Sequence, residues 1–403
     1  MLKTIPVHQV RMGMFIHSLK GSWIDHPFWK KAFKLEDADD LNKLHSSGVR
    51  EVVIDTSKGL DVATEKPIEI AEALIAETRP AALKHSKHTS IDEERVHAKR
   101  IIEGTKQAVA SMFDDVRMGK AINAEAASPL VEEISASLAR NEGALISLVR
   151  LKASDDYTYM HSVAVCALMI SLARELRLHE TEVRQAGLGG LLHDIGKALI
   201  PIEVLSKPGA LTEEEFKIVR LHPERGHALL QQGQITDEVI LDICLHHHEK
   251  MDGTGYPFKL GGDQISLFAK MGAVCDVYDA ITSNRPYKAG WEPGVSLHRM
   301  AQWGNHFDQK VFQAFVKCVG IYPIGSIVML KSGRLGLVID QSPKSLLTPI
   351  VRVFFSTKSK THIPMEVLDL SRPGSKDSIL GHEDPIKWGI TDINALWNQN
   401  DLW

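Results

Sequence analysis

A chain of 403 residues is long enough for two or three domains and at least one sizeable core, and 44% hydrophobic with 24% charged residues excludes a disordered polymer and points to a folded, mostly helical protein. A formal charge of -4 excludes a global pull toward DNA, RNA or anionic membranes, while leaving room for a local basic pocket. The opening MLKTIPVHQVRMGMF has no apolar targeting core, no apolar run could span a bilayer, and Cys166, Cys244, Cys275 and Cys318 form no CxxC pair, so the expectation is a cytoplasmic protein with reduced thiols and no membrane contact.

Along the chain, KTIPVHQV and REVVIDT alternate as strands, and LEDADDLNKLHSSG between them reads as a helix ended by glycine. They predict a small α/β N-terminal domain over residues 1–90, with TRPAALKHSKHTSIDEE as linker and Trp23, Phe28 and Trp29 in its core or, as the second choice, on a partner surface. Residues 91–321 are helical in pattern, the part up to about 150 being a lead-in. In ETEVRQAGLGGLLHDIGKALIP the apolar spacing is near 3.6 and Pro201 closes the segment. SIVMLKS, GRLGLVIDQ and PIVRVFFST then predict a β-rich segment over 322–372, followed by a loosely packed polar tail, 373–403.

Of the 19 histidines, the informative ones share apolar helix faces with carboxylates. His161 opens HSVAVCALMISLARELRL, and Val165, Leu168 and Leu172 share its face, so the imidazole points inward. Alone, such a histidine is an ordinary core residue. His193 and Asp194 follow in LLHDIGK. Adjacent helical side chains diverge by roughly 100 degrees, so this pair meets one metal only with help from neighbouring elements. An aspartate among leucines, isoleucine and glycines is nevertheless costly to bury unless paired or metal-bound. His222, in RLHPERG where Pro223 stops the preceding helix, reads by itself as a loop residue. His247 shares a face with Ile240 and Ile243, and His248 is its neighbour. His246 instead falls on the polar side with Asp242. Asp276 and Asp279 lie three apart in the apolar helix SLFAKMGAVCDVYDAIT. Together these form a mixed N/O set suited to iron, manganese, cobalt, nickel or zinc, and poorly suited to calcium or magnesium. An aspartate between two groups of ligands can bridge two ions, the arrangement that hydrolyses phosphate esters.

From roughly residue 150 to 300 these motifs, in this order, closely resemble the HD-GYP family, bacterial cyclic dinucleotide phosphodiesterases within the HD superfamily of metal-dependent phosphohydrolases. The residues that carry the resemblance are His161, HDIGK (193–197), His222, HHE (247–249), DGTGYP (252–257) and DVYDAITSNRPYK (276–288). The first ninety residues, with GMFI and HPFW, are similar to the uncharacterised domain that often precedes such modules. The implied fold is mainly α: an all-helical HD-type catalytic bundle with a small α/β N-terminal domain and a short β-rich C-terminal segment. The resemblance assigns His161, His193, Asp194 and Asp276 to one metal and Asp194, His222, His247 and His248 to a second, with Asp194 bridging. A third metal in some members uses a glutamate one turn before the first histidine; Tyr157 stands there, so two divalent ions, iron or manganese first, are expected.

The implied reaction is hydrolysis of cyclic di-GMP to pGpG, and on to GMP, by a metal-bridging hydroxide. Lys197 would neutralise charge on the phosphoryl group, and Asp279 would orient water or Lys197. Gly253 and Gly255 allow φ > 0 and close backbone approach, and Pro257 stiffens the exit. Tyr256 offers a flat ring for guanine, while Arg285 and Lys288 offer cations to phosphate oxygens. The N-terminal unit is expected to regulate access or to mediate homodimerisation. Docking of a GGDEF-type diguanylate cyclase, or another signalling protein, on the GYP surface is compatible with catalysis. A rival HD phosphohydrolase acting on a mononucleotide or an alarmone would share the metal motif, but the DGTGYP loop and the RPYK cluster argue against it. A receptor that had lost hydrolysis would have lost HD or GYP residues, and both are intact.

Overall fold

The computed structural model describes residues 2–7, 10–20, 32–35, 37, 41, 44, 51–60, 91–123, 126–149, 157–207, 209–283, 290–342, 345–390 and 396. The chain divides into two units, Met1–Glu72 and Ala73–Trp403. In the first, strands β1 (Leu2–Pro6), β2 (Phe15–Lys20), β3 (Phe33–Lys34) and β4 (Glu51–Asp55) form an antiparallel sheet in the order β1-β4-β2-β3. Its buried side chains include Ile5, Met14, Ile16, Leu35, Leu44, Val52 and Ile54. Strands β1 and β4 fall where KTIPVHQV and REVVIDT alternate. Strand β2 has no clean alternation to read, because its pairing with β4 slips between Ile16 and Ser18. Of LEDADDLNKLHSSG, Leu41 and Leu44 are helical; most of the stretch, like Trp23, Phe28 and Trp29, lies outside the described residues.

The end of the expected linker is not linker. Ile91 opens helix α1 (Ile91–Arg117), and its first turn carries a fully buried carboxylate, Glu94. Helices α2 (Ser128–Arg140) and α3 (Glu142–Val149) pack on α1. From α2, Arg140 Nε and Nη2 donate to the two Glu94 oxygens at 2.7 and 2.8 Å, and the Ser137 hydroxyl adds a third bond at 2.7 Å. Helix α4 (Tyr157–Glu175) starts one turn before His161 and is buried on every side from Met160 to Ala173. A helix apolar all round belongs at the centre of a bundle, and α4 packs against α1, α2, α3, α5 (Glu180–Leu192), α10 (Leu267–Thr282) and α12 (Gln309–Val319). Between these run α6 (Ile202–Leu205), α7 (Glu213–Val219), α8 (His222–Gln232), α9 (Glu238–His246) and α11 (Pro293–Gln302).

Five antiparallel strands follow in the order β8-β7-β6-β5-β9: β5 (Ile327–Leu330), β6 (Arg334–Asp340), β7 (Ile350–Ser356), β8 (Thr361–Asp369) and β9 (Ile379–His382). The central strands β6 and β7 are buried on both faces, which is why they read as continuous apolar runs. The boundary expected at residue 372 cuts through this sheet. Strand β9 pairs with β5, and Ile390 and Leu396 are buried, so the C-terminal stretch supplies part of the sheet and its core. Too short to show an alternation, ILGH carries no strand signal of its own. Strand β9 also reaches the bundle, where His382 Nδ1 lies 3.4 Å from the carboxylate of Glu292, the N-cap of α11.

Removing one partner of a buried ion pair strands the other, and here Arg140 keeps part of its surface in water, which lessens the cost. Glu94→Ala should therefore lower stability by about 2 kcal/mol and the melting midpoint by several degrees, read by far-UV circular dichroism. An unchanged midpoint would show that the Glu94 cluster does not hold α2 to α1.

Candidate metal centre

Helix α5 carries its apolar pattern up to Leu192 and then stops: His193 is still helical, Asp194 turns to φ -100 and ψ 7, and residues Ile195–Leu199 tighten into a 3-10 turn. The expected continuous helix to Pro201 is therefore broken, and the break lets two adjacent side chains converge instead of diverging by a helical turn angle. His193 (1% exposed) and Asp194 (0%) both end up inside the bundle. His161 comes from α4, Asp276 from α10, His222 from the first position of α8, and His247 and His248 from the end of α9.

The side chains form two groups. His161, His193 and Asp276 bring their ligand atoms within 4.8 Å of one another, and so do Asp194, His222, His247 and His248. Asp194 reaches into both. Its Oδ2 lies 3.6 Å from His161 Nε2 and 3.3 Å from His193 Nε2, while its Oδ1 lies 3.2 Å from His222 Nε2 and 3.8 Å from His247 Nε2. Asp276 faces His161 Nε2 at 2.9 Å with one oxygen and His248 Nδ1 at 3.6 Å with the other.

The outer ring nitrogens are already used. His193 Nδ1 donates to Gly190 O at 2.8 Å, His222 Nδ1 to Val219 O at 2.8 Å, and His247 Nδ1 to Ile243 O and Cys244 O at 3.0 Å. Committing Nδ1 to the backbone leaves Nε2 as the atom that faces the carboxylates, the position a metal takes on displacing any proton there. His161 is held by a carboxylate: its Nδ1 donates to Asp279 Oδ2 at 2.6 Å. Asp279, expected to orient water or Lys197, thus stands behind the His161 imidazole.

The electrostatics demand positive charge. Burial alone pushes the Asp194 carboxyl up, but the charges of His193 and Lys197 outweigh it and hold the group well below the usual carboxylate range. The Asp276 carboxyl is likewise raised by burial and then pulled well below its usual value by the hydrogen bond from His161 and by the neighbouring His193. In return His193, which burial would make less basic, is pushed up to about 10 by Asp194 and Asp276. His247 and His248 go the other way: burial holds His247 well below its usual value and His248 at about 3, so both offer neutral nitrogens. His193 Nε2 and Asp194 Oδ1 remain buried without a hydrogen bond. Orphaned imidazole and carboxylate atoms packed face to face fit a divalent metal of the transition series. Lys197 Nζ, one-quarter exposed at the mouth, donates to Asp194 Oδ2 at 2.5 Å.

Beside the histidines lies the DGTGYP loop. Gly253 takes a φ of +74, whereas Gly255 serves close approach: a Cβ there would sit 2.5 Å from Glu249 Cα and 2.7 Å from His248 O. The Tyr256 ring stacks on the His248 imidazole, with centroids 4.6 Å apart and an interplanar angle of 29°. One face of the expected base platform is thus already covered. Pro257 follows a cis peptide bond. Glu249, which carried no role in the sequence reading, is the loop's anchor: 2% exposed, it accepts from Phe258 N at 2.7 Å and Leu260 N at 3.0 Å. An acidic residue directly after two ligands was the available signal. His246 stays outside the cluster on Asp242 (2.7 Å). Arg285 and Lys288 lie outside the described residues.

Residues 134–311 match the HD domain family model and residues 2–127 match a domain of unknown function, DUF3391. The chain is 55% identical over 398 residues to the cyclic di-GMP phosphodiesterase PA4108 of Pseudomonas aeruginosa, covering 98% of this chain and 96% of that protein. It is 43% identical over 148 residues to the cyclic di-GMP phosphodiesterase response regulator RpfG of Xanthomonas campestris, covering 36% of this chain and 39% of that one. Over 162 residues it is 35% identical to a 3'3'-cGAMP-specific phosphodiesterase of Vibrio cholerae, covering 40% of this chain and 31% of that one.

Two substitutions test the geometry. Asp279→Asn removes the charge behind His161 and should weaken metal binding about tenfold or more with little loss of fold; unchanged metal retention on dialysis against a chelator would refute the role. Gly196 packs against α8 so closely that a Cβ would lie 1.9 Å from His222 O. Gly196→Ala must push His222 away from Asp194, and should reduce bound metal per chain more than it lowers the melting midpoint. Full metal content would mean that this contact does not set the spacing.

Proposed function

The chain belongs to the HD-GYP family of cyclic di-GMP phosphodiesterases, and from that premise we propose that the cluster around Asp194 hydrolyses cyclic di-GMP to pGpG and then to GMP, using two divalent metals, iron or manganese. The observation that carries this reading is Asp194 itself, a fully buried carboxylate whose two oxygens face two separate sets of imidazoles. When bound, such metals supply Lewis acidity to a phosphoryl oxygen and make water acidic enough to attack near neutral pH.

The chain's own residues do the rest. His161, His193 and Asp276 would hold one ion and His222, His247 and His248 the other, with Asp194 shared. Asp279 and the backbone carbonyls of Gly190, Val219, Ile243 and Cys244 fix the rings, so the cluster is ordered before substrate arrives. Lys197, bonded to Asp194 at the mouth, places an ammonium where charge builds on the phosphoryl group. Arg285 and Lys288 follow α10 directly in sequence and are assigned to phosphate oxygens for their charge. Tyr256, beside the cluster, is assigned to contact a guanine.

Residues 1–90 are assigned a regulatory or dimerising role and the GYP surface a docking role for diguanylate cyclases or other signalling proteins. The four free cysteines, three of them buried, suit a cytoplasmic location. No helix among the described residues is long and apolar enough to cross a membrane.

The deciding assay incubates anaerobically purified protein, loaded with iron(II) or manganese(II), with cyclic di-GMP and separates the products. Wild type should release pGpG and GMP, and Asp194→Ala should fall by at least three orders of magnitude, the scale of losing metal-assisted catalysis. Binding without product under either metal would replace hydrolysis by a receptor role.

A further inference from the structure

Phe216 is 42% exposed on a short polar helix, which is unusual for a phenylalanine without a partner. Its partner is Arg220, one turn on, whose guanidinium carbon lies 4.4 Å from the Phe216 ring centre and 5.3 Å from that of Tyr256. Tyr256 in turn stacks on His248. The order running outward from the metal cluster is therefore imidazole, phenol, guanidinium, phenyl. Aromatic rings occupy the faces of a guanidinium and use none of its N–H donors. Among the described residues no carboxylate or carbonyl accepts from the Arg220 side chain, although Arg174, Arg140 and Arg334 are all paired. Arg220 is a cation held by packing between two rings, with its hydrogen-bonding edge left open.

We propose that Arg220 is a specificity-determining residue that reads the guanine of the substrate, donating paired N–H bonds from its open edge to O6 and N7 of a base that meets the guanidinium edge to edge. A phosphate would use the charge but not the aromatic surface around it, and the scissile phosphate belongs one ring further in, at the imidazoles and Lys197. A purine base presents a planar acceptor edge that matches the planar fork. Guanine offers two acceptors on that edge; adenine puts an amino donor in place of O6 and cannot satisfy both N–H groups. The inference rests on the phosphodiesterase reading and names the residue that selects its base.

The test titrates manganese-loaded wild type, Arg220→Met and Arg220→Lys with GMP and with AMP by calorimetry, which share the phosphate and differ in the base. In parallel, hydrolysis of cyclic di-GMP and metal content are measured for each. Both variants should keep their metal, lose about tenfold to a hundredfold in GMP affinity and in kcat/KM on cyclic di-GMP, and leave AMP binding where it was. Lysine must fail as methionine does, because it restores the charge without the fork. Rescue by lysine, equal losses for GMP and AMP, or wild-type GMP binding in Arg220→Met would each overturn the proposal. A wild type that makes no product from cyclic di-GMP would count against the phosphodiesterase reading instead, and the nucleotide titrations would still decide Arg220.

Discussion

Two carboxylates, Asp194 and Asp276, are buried side by side in the centre of a helical bundle, and most of the architecture answers that one constraint. Each buried charge costs several kcal/mol unless something compensates it. The compensation is a shell of imidazoles from α4, α5, α8 and α9, which explains why the bundle must bring those four helices to the one point where α10 places Asp276. It also explains why α5 ends where it does. Had the helix continued through Asp194, the carboxylate would have turned away from His193, and no single residue would have faced both sets of rings. The backbone carbonyls that receive the Nδ1 protons are mainly those freed at helix ends, so helix termination and ligand orientation are one device.

Much of this was legible residue by residue. Asp194 and Asp276 betray themselves as charges inside apolar runs, and His161 and His247 as imidazoles on apolar stripes. His222 was legible only through the order of the motifs, because its placement at the start of α8 and its approach to Asp194 depend on a tertiary contact, the seat of Gly196 against His222 O. The break after Leu192 was illegible for the same reason: LLHDIGKALI keeps a helical apolar spacing, and packing against α8 overrides it. The partners of Asp279 could not be read from a spacing of three within its own helix, since its ring partner lies 118 residues away in sequence. Strand β9 was missed because a four-residue edge strand has too few positions to show a period.

The metal cluster and the substrate loop are not independent parts. His247, His248 and Glu249 are consecutive, and each commits the next. The histidines point into the cluster, the His248 ring carries Tyr256, the His248 carbonyl accepts from Tyr256 N at 3.2 Å, and Glu249 ties the far side of the loop through two amides. Gly255 is required because the returning backbone passes directly over this tripeptide. A shift of the loop that moved Tyr256 by a fraction of an ångström would therefore press on a metal-facing imidazole. Substrate platform and metal geometry must be set together, as preorganised catalysis requires.

The same logic extends to the C-terminal sheet. Helix α10 carries Asp276 and Asp279, and α11 begins at Pro293; the basic RPYK stretch lies between them in sequence. Ile281 and Trp291, which flank it in sequence, are joined by the bond from Trp291 N to Ile281 O at 2.7 Å. Directly after this clamp, Glu292 caps α11 through Val295 N and faces His382 of β9, whose ring packs so tightly on Gly294 that any side chain there would collide with it. The start of α11 is thus held on one side by the helix that bears the metal ligands and on the other by the last strand of the sheet. A strand contributed by the C-terminal stretch consequently bears on the helix that follows Asp276 and Asp279 in sequence, which ties the sheet to the element next to the cluster.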